Sequence, residues 1–242
     1  MIRVVVFDFD GTLVDSNGVK DACDRAVVAH LPGGPDALAK ARAKGGNRYT
    51  VYPDVARLLD PCGDIKSIEA QGRALADAYS RCCARGILAA PERRGARDTL
   101  ARLKRRGLRI WINSATPSRD LHELLRRRRL SAYLDGALGG PTRKAENLRR
   151  VLAAERVPAK EVMMVGDGLD DLAGAKAVGT WFVAISADQR IPDFCGFTMP
   201  DLSKLVPLID RLNPRRILLA GKNGAASARE AKPRRSGADG YT

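Results

Sequence analysis

Three carboxylates, Asp8, Asp10 and Asp15, follow directly on the apolar run "VVVF" at 4–7, and a second acidic group, Asp167, Asp170 and Asp171, follows "VMMVG" at 162–166. Between them in the chain stand two groups suited to an anion: Ser114, which closes "LRIWINS", and Lys144, which opens "KAENLRRVLAAE". Carboxylates gathered at one place repel one another by kilocalories per mole unless a cation or a proton intervenes. Oxygen donors alone favour a hard ion. Mg²⁺ fits best, since it takes one or two carboxylates and completes its octahedron with water and phosphate oxygens. A hydroxyl and an ammonium beside that ion are what a dianionic phosphoryl group requires. Amides at a helix beginning near Pro117 could add to them.

Each of these residues alone has a plainer role. Asp10 with Gly11, or Asp167 with Gly168, reads as a turn, Ser114 before "ATP" as a helix cap, and an isolated lysine as solvated surface. Their occurrence in order, each where a strand ends or a helix begins, points instead to phosphoryl chemistry. Asp15 reads as turn or support, and His30 and His122 as surface residues.

The elements that must position these groups are legible from the patterning. Residues 2–9, 108–114, 161–167 and 180–185 are short, apolar and β-branched, as in strands buried on both faces of a parallel sheet. Trp111 and Trp181 lie in two of them and are expected in the core. Helical patterns such as "PSRDLHELLRRRRL", "RKAENLRRVLAAERV" and "DDLAGAKAVG" fall between or after the strands. That alternation predicts right-handed βαβ units: an α/β, three-layer, Rossmann-like parallel sheet. In open sheets of this kind, sites form beyond the carboxyl ends of the strands, where all the candidate residues fall.

Residues 16–91 break the alternation. No apolar β run occurs there, and four helical patterns, at 19–31, 35–47, 52–60 and 67–86, are separated by Pro and Gly signals. An insert of this length is too long for a simple connection and reads as a small second domain. This divides the chain into 1–15 with 92–212, a Rossmann-like catalytic core, the all-helical 16–91, and 213–242. The "KGGNR" turn, 44–48, sets flexible backbone beside cations, which makes Lys44, Asn47 and Arg48 candidates for reading the substrate.

The 242 residues carry a formal net charge of +14, so phosphate in some form is the expected partner. Seven Lys/Arg against two Asp/Glu lie in 213–242, about +5 of that total, in a stretch of Gly, Ala, Ser and Pro expected to be disordered. "RRRR", 126–129, reads as a solvated helix surface. Nucleic acid is a less favoured partner than a small phosphorylated metabolite. The five cysteines, Cys23, Cys62, Cys82, Cys83 and Cys195, show neither zinc spacing nor a disulfide framework and read as reduced, mostly buried thiols. With no long uncharged apolar window and no signal pattern, the expectation is a cytoplasmic protein with no membrane partner. Oligomeric state is not encoded in any pattern here.

"DFDGTLVDS", Ser114 after a strand, Lys144 and "GDGLDD" together resemble the four ordered motifs of the haloacid dehalogenase superfamily of phosphatases. The helical insert directly after the first motif resembles the subfamily that includes phosphoglycolate phosphatase and β-phosphoglucomutase. The resemblance implies that Asp8 is a nucleophile forming an aspartyl-phosphate, and that Asp10 is the acid/base whose backbone carbonyl also ligates Mg²⁺. It implies Thr12, Ser114 and Lys144 around the phosphate, with Thr12 bracing the loop, and Asp167 completing a metal site with Asp8 and Asp10. Asp171 supports the lysine or a metal-bound water, the family spacing GDxxxD selecting it over Asp170. The insert becomes a cap whose closure excludes water and whose residues read the leaving group. Phosphomonoester hydrolysis is the leading implication. A mutase would share every catalytic residue, a dehalogenase would not need Asp10, and a nucleic-acid-associated protein using the basic tail is a third alternative.

Overall fold

The computed structural model of the chain describes residues 1–185 and 196–214. Six parallel strands form one sheet: β1 (Val4–Phe7), β2 (Arg109–Pro117), β3 (Gly136–Gly140), β4 (Val162–Gly166), β5 (Trp181–Ile185) and β6 (Phe197–Met199), in the order β3-β2-β1-β4-β5-β6. The continuous apolar runs of the central strands divide by pleat between two cores. Val5, Phe7, Ile110, Ile112, Met163 and Val165 join one cluster, while Val4, Val6, Val162 and Met164 join the other. Both faces are therefore covered by helices, as all-parallel sheets require.

Starting from β1, the chain lays down β2 and β3 on one side and returns to β4 on the other. That reversal opens a crevice at the carboxyl ends of β1 and β4. Register makes it a common level, because Phe7 pairs with both Ile112 and Val165, so Asp8 emerges beside Asn113 and Gly166. The helices of this sheet are α5 (Ala96–Arg105), α6 (Ser118–Arg127), α7 (Lys144–Glu155), α8 (Leu169–Val178) and α9 (Leu205–Leu212).

Strands β3 and β6 carry no apolar run in the sequence, β3 because it is mostly glycine and β6 because it has three residues. β3 is "GALGG", and a Cβ on Gly136 would lie 2.3 Å from the Trp111 ring, so the glycine exists to let the indole lie over the strand. Trp181 corrects the expectation of a core residue. It is 41% exposed and stacks on Phe197 of the short edge strand β6.

Four helices precede α5: α1 (Asn17–Val28), α2 (Gly34–Ala43), α3 (Arg48–Leu59) and α4 (Ile65–Ala89). α3 starts earlier than its proline suggested. Asn47 caps it by accepting from the Tyr49 amide, and Pro53 is carried inside the helix. Gly72 of α4 has room for no Cβ, which would meet the Pro53 backbone at 2.8 Å, so the two helices approach closely there. Apolar side chains of these helices, among them Val27, Val51, Tyr52 and Leu75, join the same buried cluster as one face of the sheet.

The cysteine expectation needs a correction. Cys23 of α1 and Cys82 of α4, 59 residues apart, form a disulfide, while Cys62 is free and exposed and Cys83 free and buried. A 59-residue spacing carries no motif, and only the packing of α1 on α4 brings the two sulfurs together. Cys195 and 215–242, most of the basic tail, lie outside the described residues. Among the described residues no helix is long and apolar enough to cross a membrane.

A non-reduced proteolytic digest should contain the Cys23 and Cys82 peptides joined. Reduction should lower the unfolding free energy by about 4 kcal/mol, the closure entropy of such a loop. Denaturant curves that coincide with and without reductant, together with unlinked peptides, would contradict the bond.

Candidate active site

Asp8, the first residue past β1, is buried at 8% exposure, and its amide donates to the Val165 carbonyl of β4. Its Oδ1 lies 2.6 Å from the Lys144 ammonium. The loop then turns through Gly11 at φ +83, a conformation that favours glycine, and a Cβ there would sit 2.2 Å from Asp167 Oδ2. That close approach explains the glycine of "DFDGT". Thr12 Oγ1 donates to Asp167 Oδ1 at 2.9 Å, and Asn17 Nδ2 to Asp167 Oδ2 at 2.8 Å, so the first loop and the start of α1 together hold the carboxylate that follows β4.

Lys144, first residue of α7, is buried, and its ammonium touches three oxygens: Asp8 at 2.6 Å, Asp171 at 2.7 Å and the Asn113 carbonyl at 2.6 Å. Asn113 Nδ2 in turn donates to the Lys144 carbonyl, which fixes the helix start against β2. Asp171 is buried and also accepts from the Gly168 amide, whereas Asp170 is exposed and accepts from the Asp171 amide. The geometry thus brings Asp171 rather than Asp170 onto the lysine.

Asp10 is held by groups the sequence did not single out. Ser16 Oγ donates to its Oδ1 at 2.9 Å, Thr116 Oγ1 to its Oδ2 at 2.6 Å, and Lys20 of α1 lies 3.2 Å from Oδ2. Burial disfavours its charge, but Lys20, Thr116 and Ser16 outweigh burial and hold its pKa below the ordinary carboxylate value. A signal for Thr116 existed, since it follows Ser114 by two residues and so shares its face of β2. Ser114 does not cap a helix: α6 begins at Ser118, and Ser114 Oγ accepts from the Thr116 amide at 3.1 Å. Its own proton remains available to donate.

Facing these groups is a cleft of about 580 Å³ lined by Lys20, Arg42, Asn47, Arg48, Tyr79 and Lys144 among others. Arg48 lies over the Tyr79 ring at 5.1 Å and donates to Ser80 Oγ, while Arg42 pairs with Asp24 at 2.7 Å. Lys44 turns away to Asp54 at 3.1 Å and does not line the cleft. The "RRRR" run is no uniform basic surface: Arg126 pairs with Glu123, and Arg128 turns inward onto α4.

Asp8, Asp167 and Asp171 can each offer an oxygen within 4.8 Å of the others. Three carboxylates against one ammonium leave an excess of negative charge. Burial and then the charges of Asp171 and Asp167 push the Asp8 pKa well above its usual value, even though Lys144 opposes them. Burial raises Asp171 in the same way. Burial works against Lys144 as well, but Asp171, Asp8 and Asp170 overcome it and keep that lysine charged beyond its ordinary range. A divalent cation with oxygen preference fits this set, because it supplies the missing positive charge where like charges are closest.

The model of the haloacid dehalogenase-like hydrolases matches residues 2–179. A phosphoglycolate phosphatase of Pseudomonas fluorescens is 30% identical over 197 residues, 76% of this chain and 69% of that protein. Another, of Pseudomonas syringae pv. tomato, is 29% identical over 217 residues, 85% of this chain and 79% of that one. Among solved structures, a predicted phosphoglycolate phosphatase from Haemophilus somnus superposes with a TM-score of 0.67 at 17% identity, covering 86% of this chain and 98% of the other. The HAD-hydrolase YfnB of Bacillus subtilis, whose magnesium-bound structure is said to reveal interdomain movement, gives 0.65 at 20% identity, with 86% and 99% covered. At such identities the structural matches establish the fold alone.

Because the folded-state pKa of Asp8 is raised, its contribution to stability in the metal-free chain is present at acid pH and is lost as pH rises through that raised value. Near neutral pH, Mg²⁺ at a hundred times its dissociation constant should therefore raise the melting temperature by about 5–10 °C. The increment should shrink as the carboxyls protonate. Asp8→Asn should melt no lower than the metal-free parent and lose most of the Mg²⁺ response; an undiminished response would place the ion elsewhere.

Proposed function

Because the chain belongs to the haloacid dehalogenase-like hydrolases and is a phosphatase among them, we propose that it hydrolyses a small phosphate monoester with Mg²⁺ through an aspartyl-phosphate on Asp8. The observation that carries this reading is the grouping of Asp8, Lys144, Asp167 and Asp171 at one level of the sheet, beneath a cleft whose far wall bears cations.

The Asp8 carboxylate attacks phosphorus, forming one P–O bond as the bond to the leaving oxygen breaks. Lys144 offsets charge on Asp8 and the phosphoryl group together, and Ser114 donates its free proton to a phosphoryl oxygen. Asp10, carrying the proton taken from water in the preceding turnover, gives it to the departing alkoxide, then takes another from the water that attacks phospho-Asp8, which regenerates the Asp8 carboxylate and frees inorganic phosphate. Thr116 and Ser16 favour the ionised form needed for that second half. Mg²⁺, held by Asp8, Asp167 and the Asp10 backbone carbonyl, would neutralise charge between carboxylate and phosphate. Asp171 keeps Lys144 charged and aimed, and Thr12 braces Asp167.

The four helices act as a cap in this reading, and an interdomain movement like that described for the Bacillus subtilis protein fits its opening. Arg48, with Asn47 beside it, lines the cleft and among the described residues has no carboxylate partner within salt-bridge distance, which favours a leaving group with its own negative charge, of the phosphoglycolate or anionic sugar-phosphate kind. Lys44, committed to Asp54, contributes less.

With Mg²⁺ and a panel of small phosphate esters, Asp8→Asn should reduce phosphate release by about a thousandfold or more. Retained turnover would reject the nucleophile. Arg48→Ala should raise KM for phosphoglycolate by about tenfold, the value of one charge-assisted contact, while changing KM for p-nitrophenyl phosphate little. Equal effects on both would remove the anionic-leaving-group reading.

A further inference from the structure

Two helices end at the same place in this fold, and both ends are polar and crowded. α4 stops because Pro91 follows: Ala90 is forced into extended backbone at ψ 145, and the last turn carries no basic residue of its own. Its final carbonyls thus lack helical donors at the point where the chain leaves the four-helix segment and re-enters the sheet domain. α6, a core helix, ends beside it with Arg128 at its C-cap. Two helix C-termini carry partial negative charge and repel when brought together, unless cations sit between them.

The cations are Arg128 and Arg97. Arg128 Nη2 donates to the carbonyls of Ile87 at 2.5 Å, Leu88 at 3.2 Å, and Ala90, collecting the loose end of α4 in one guanidinium. Arg97 of α5 does the same for α6, donating to the Arg128 carbonyl at 2.9 Å and the Arg129 carbonyl at 3.4 Å. Arg97 is itself paired with Glu92, which lies in the linker that α4 feeds. That linker runs beside the outgoing one: the Asp15 amide donates to the Pro91 carbonyl, and the Arg93 amide to the Leu13 carbonyl. Arg93 also donates to the Gly11 carbonyl at 2.7 Å, inside the catalytic loop.

From this juxtaposition we infer that Arg128 is a positioning residue: its guanidinium clamps the carbonyl end of α4 to α6 and so sets how the helical segment sits over Asp8 and Asp10. The contact is charge-assisted and can re-form after a displacement more readily than an interlocked apolar interface. It is directional as well, since the carbonyls of Ile87, Leu88 and Ala90 converge on one nitrogen. The tie acts through the linker pair that continues into the loop after β1, and this gives an arginine whose hydrogen bonds go to the carbonyls of α4 an influence on the site. The catalytic consequence rests on the phosphatase reading above; the clamp itself does not.

Hydrogen exchange on the full chain tests it. In Arg128→Ala, the Asp15 and Arg93 amides of the linker pair should exchange about tenfold faster, a local opening of the hinge, while the Asp8 amide inside the sheet keeps its parent rate. Arg128→Lys, which restores the charge but not the planar fork, should recover part of the protection. With p-nitrophenyl phosphate and Mg²⁺, kcat of Arg128→Ala should fall by about tenfold with a smaller change in KM. Linker amides that exchange as in the parent, or linker and sheet amides that accelerate together, would overturn the clamp; an active Arg128→Ala enzyme with kcat within about twofold of the parent would overturn its influence on the site. If the alanine variant does not fold, Arg128→Gln gives the same comparison. If neither parent nor variant releases phosphate, the phosphatase reading fails while the exchange data still decide the clamp.

Discussion

The fold is organised around a charge imbalance. One buried ammonium, Lys144, stands between Asp8 and Asp171 with Asp167 close by, and burial makes every uncompensated carboxylate there costly. Much of the local structure serves to keep these groups together against their repulsion. Register places Asp8 and Gly166 at one height, Thr12 and Asn17 hold Asp167 by both oxygens, and Asn113 locks the first residue of α7 to β2. The residual negative charge suits this group of carboxylates to a divalent cation. An arrangement so costly without ligand is a common property of catalytic centres, which trade stability for reactivity.

Asp10 occupies a different environment two residues away. Hydrogen bonds from Ser16 and Thr116 and the Lys20 ammonium reverse the effect of burial and keep it ionised, while Asp8 is pushed toward protonation. The two carboxyls thus sit in environments that push their pKa values in opposite directions. Two of the residues tuning Asp10, Ser16 and Lys20, belong to the connection into α1 or to α1 itself. The same few residues therefore serve the loop after β1, the linker and the first turn of the helical segment.

Much of this was readable in the chain. The runs at 2–9, 108–114, 161–167 and 180–185 announced themselves because a parallel strand buried on both faces is nearly all apolar. The order of Asp8, Asp10, Ser114, Lys144, Asp167 and Asp171 pointed to phosphoryl chemistry because each stands at a strand end or helix start. What escaped notice did so for physical reasons. β3 is mostly glycine and β6 has three residues, so neither has an apolar signature. Lys20 looks like an ordinary surface residue until folding turns it onto Asp10. Arg128 looks like solvated surface in "RRRR" until the unpartnered carbonyls of α4 arrive beside it.

By itself, then, the amino-acid order determined the alternating α/β architecture, the helical interruption after the first strand, and the set of carboxylates and cations available for phosphoryl chemistry. Those follow from local periodicity and from which residues sit at element boundaries, both carried by near neighbours in the chain. Tertiary structure alone decided the diversion of Lys44 to Asp54, the bond between Cys23 and Cys82, and the placement of Arg128 on the end of α4. Each of these joins groups whose partner is selected by helix packing or by side-chain direction, and neither quantity is expressed in spacing along the sequence.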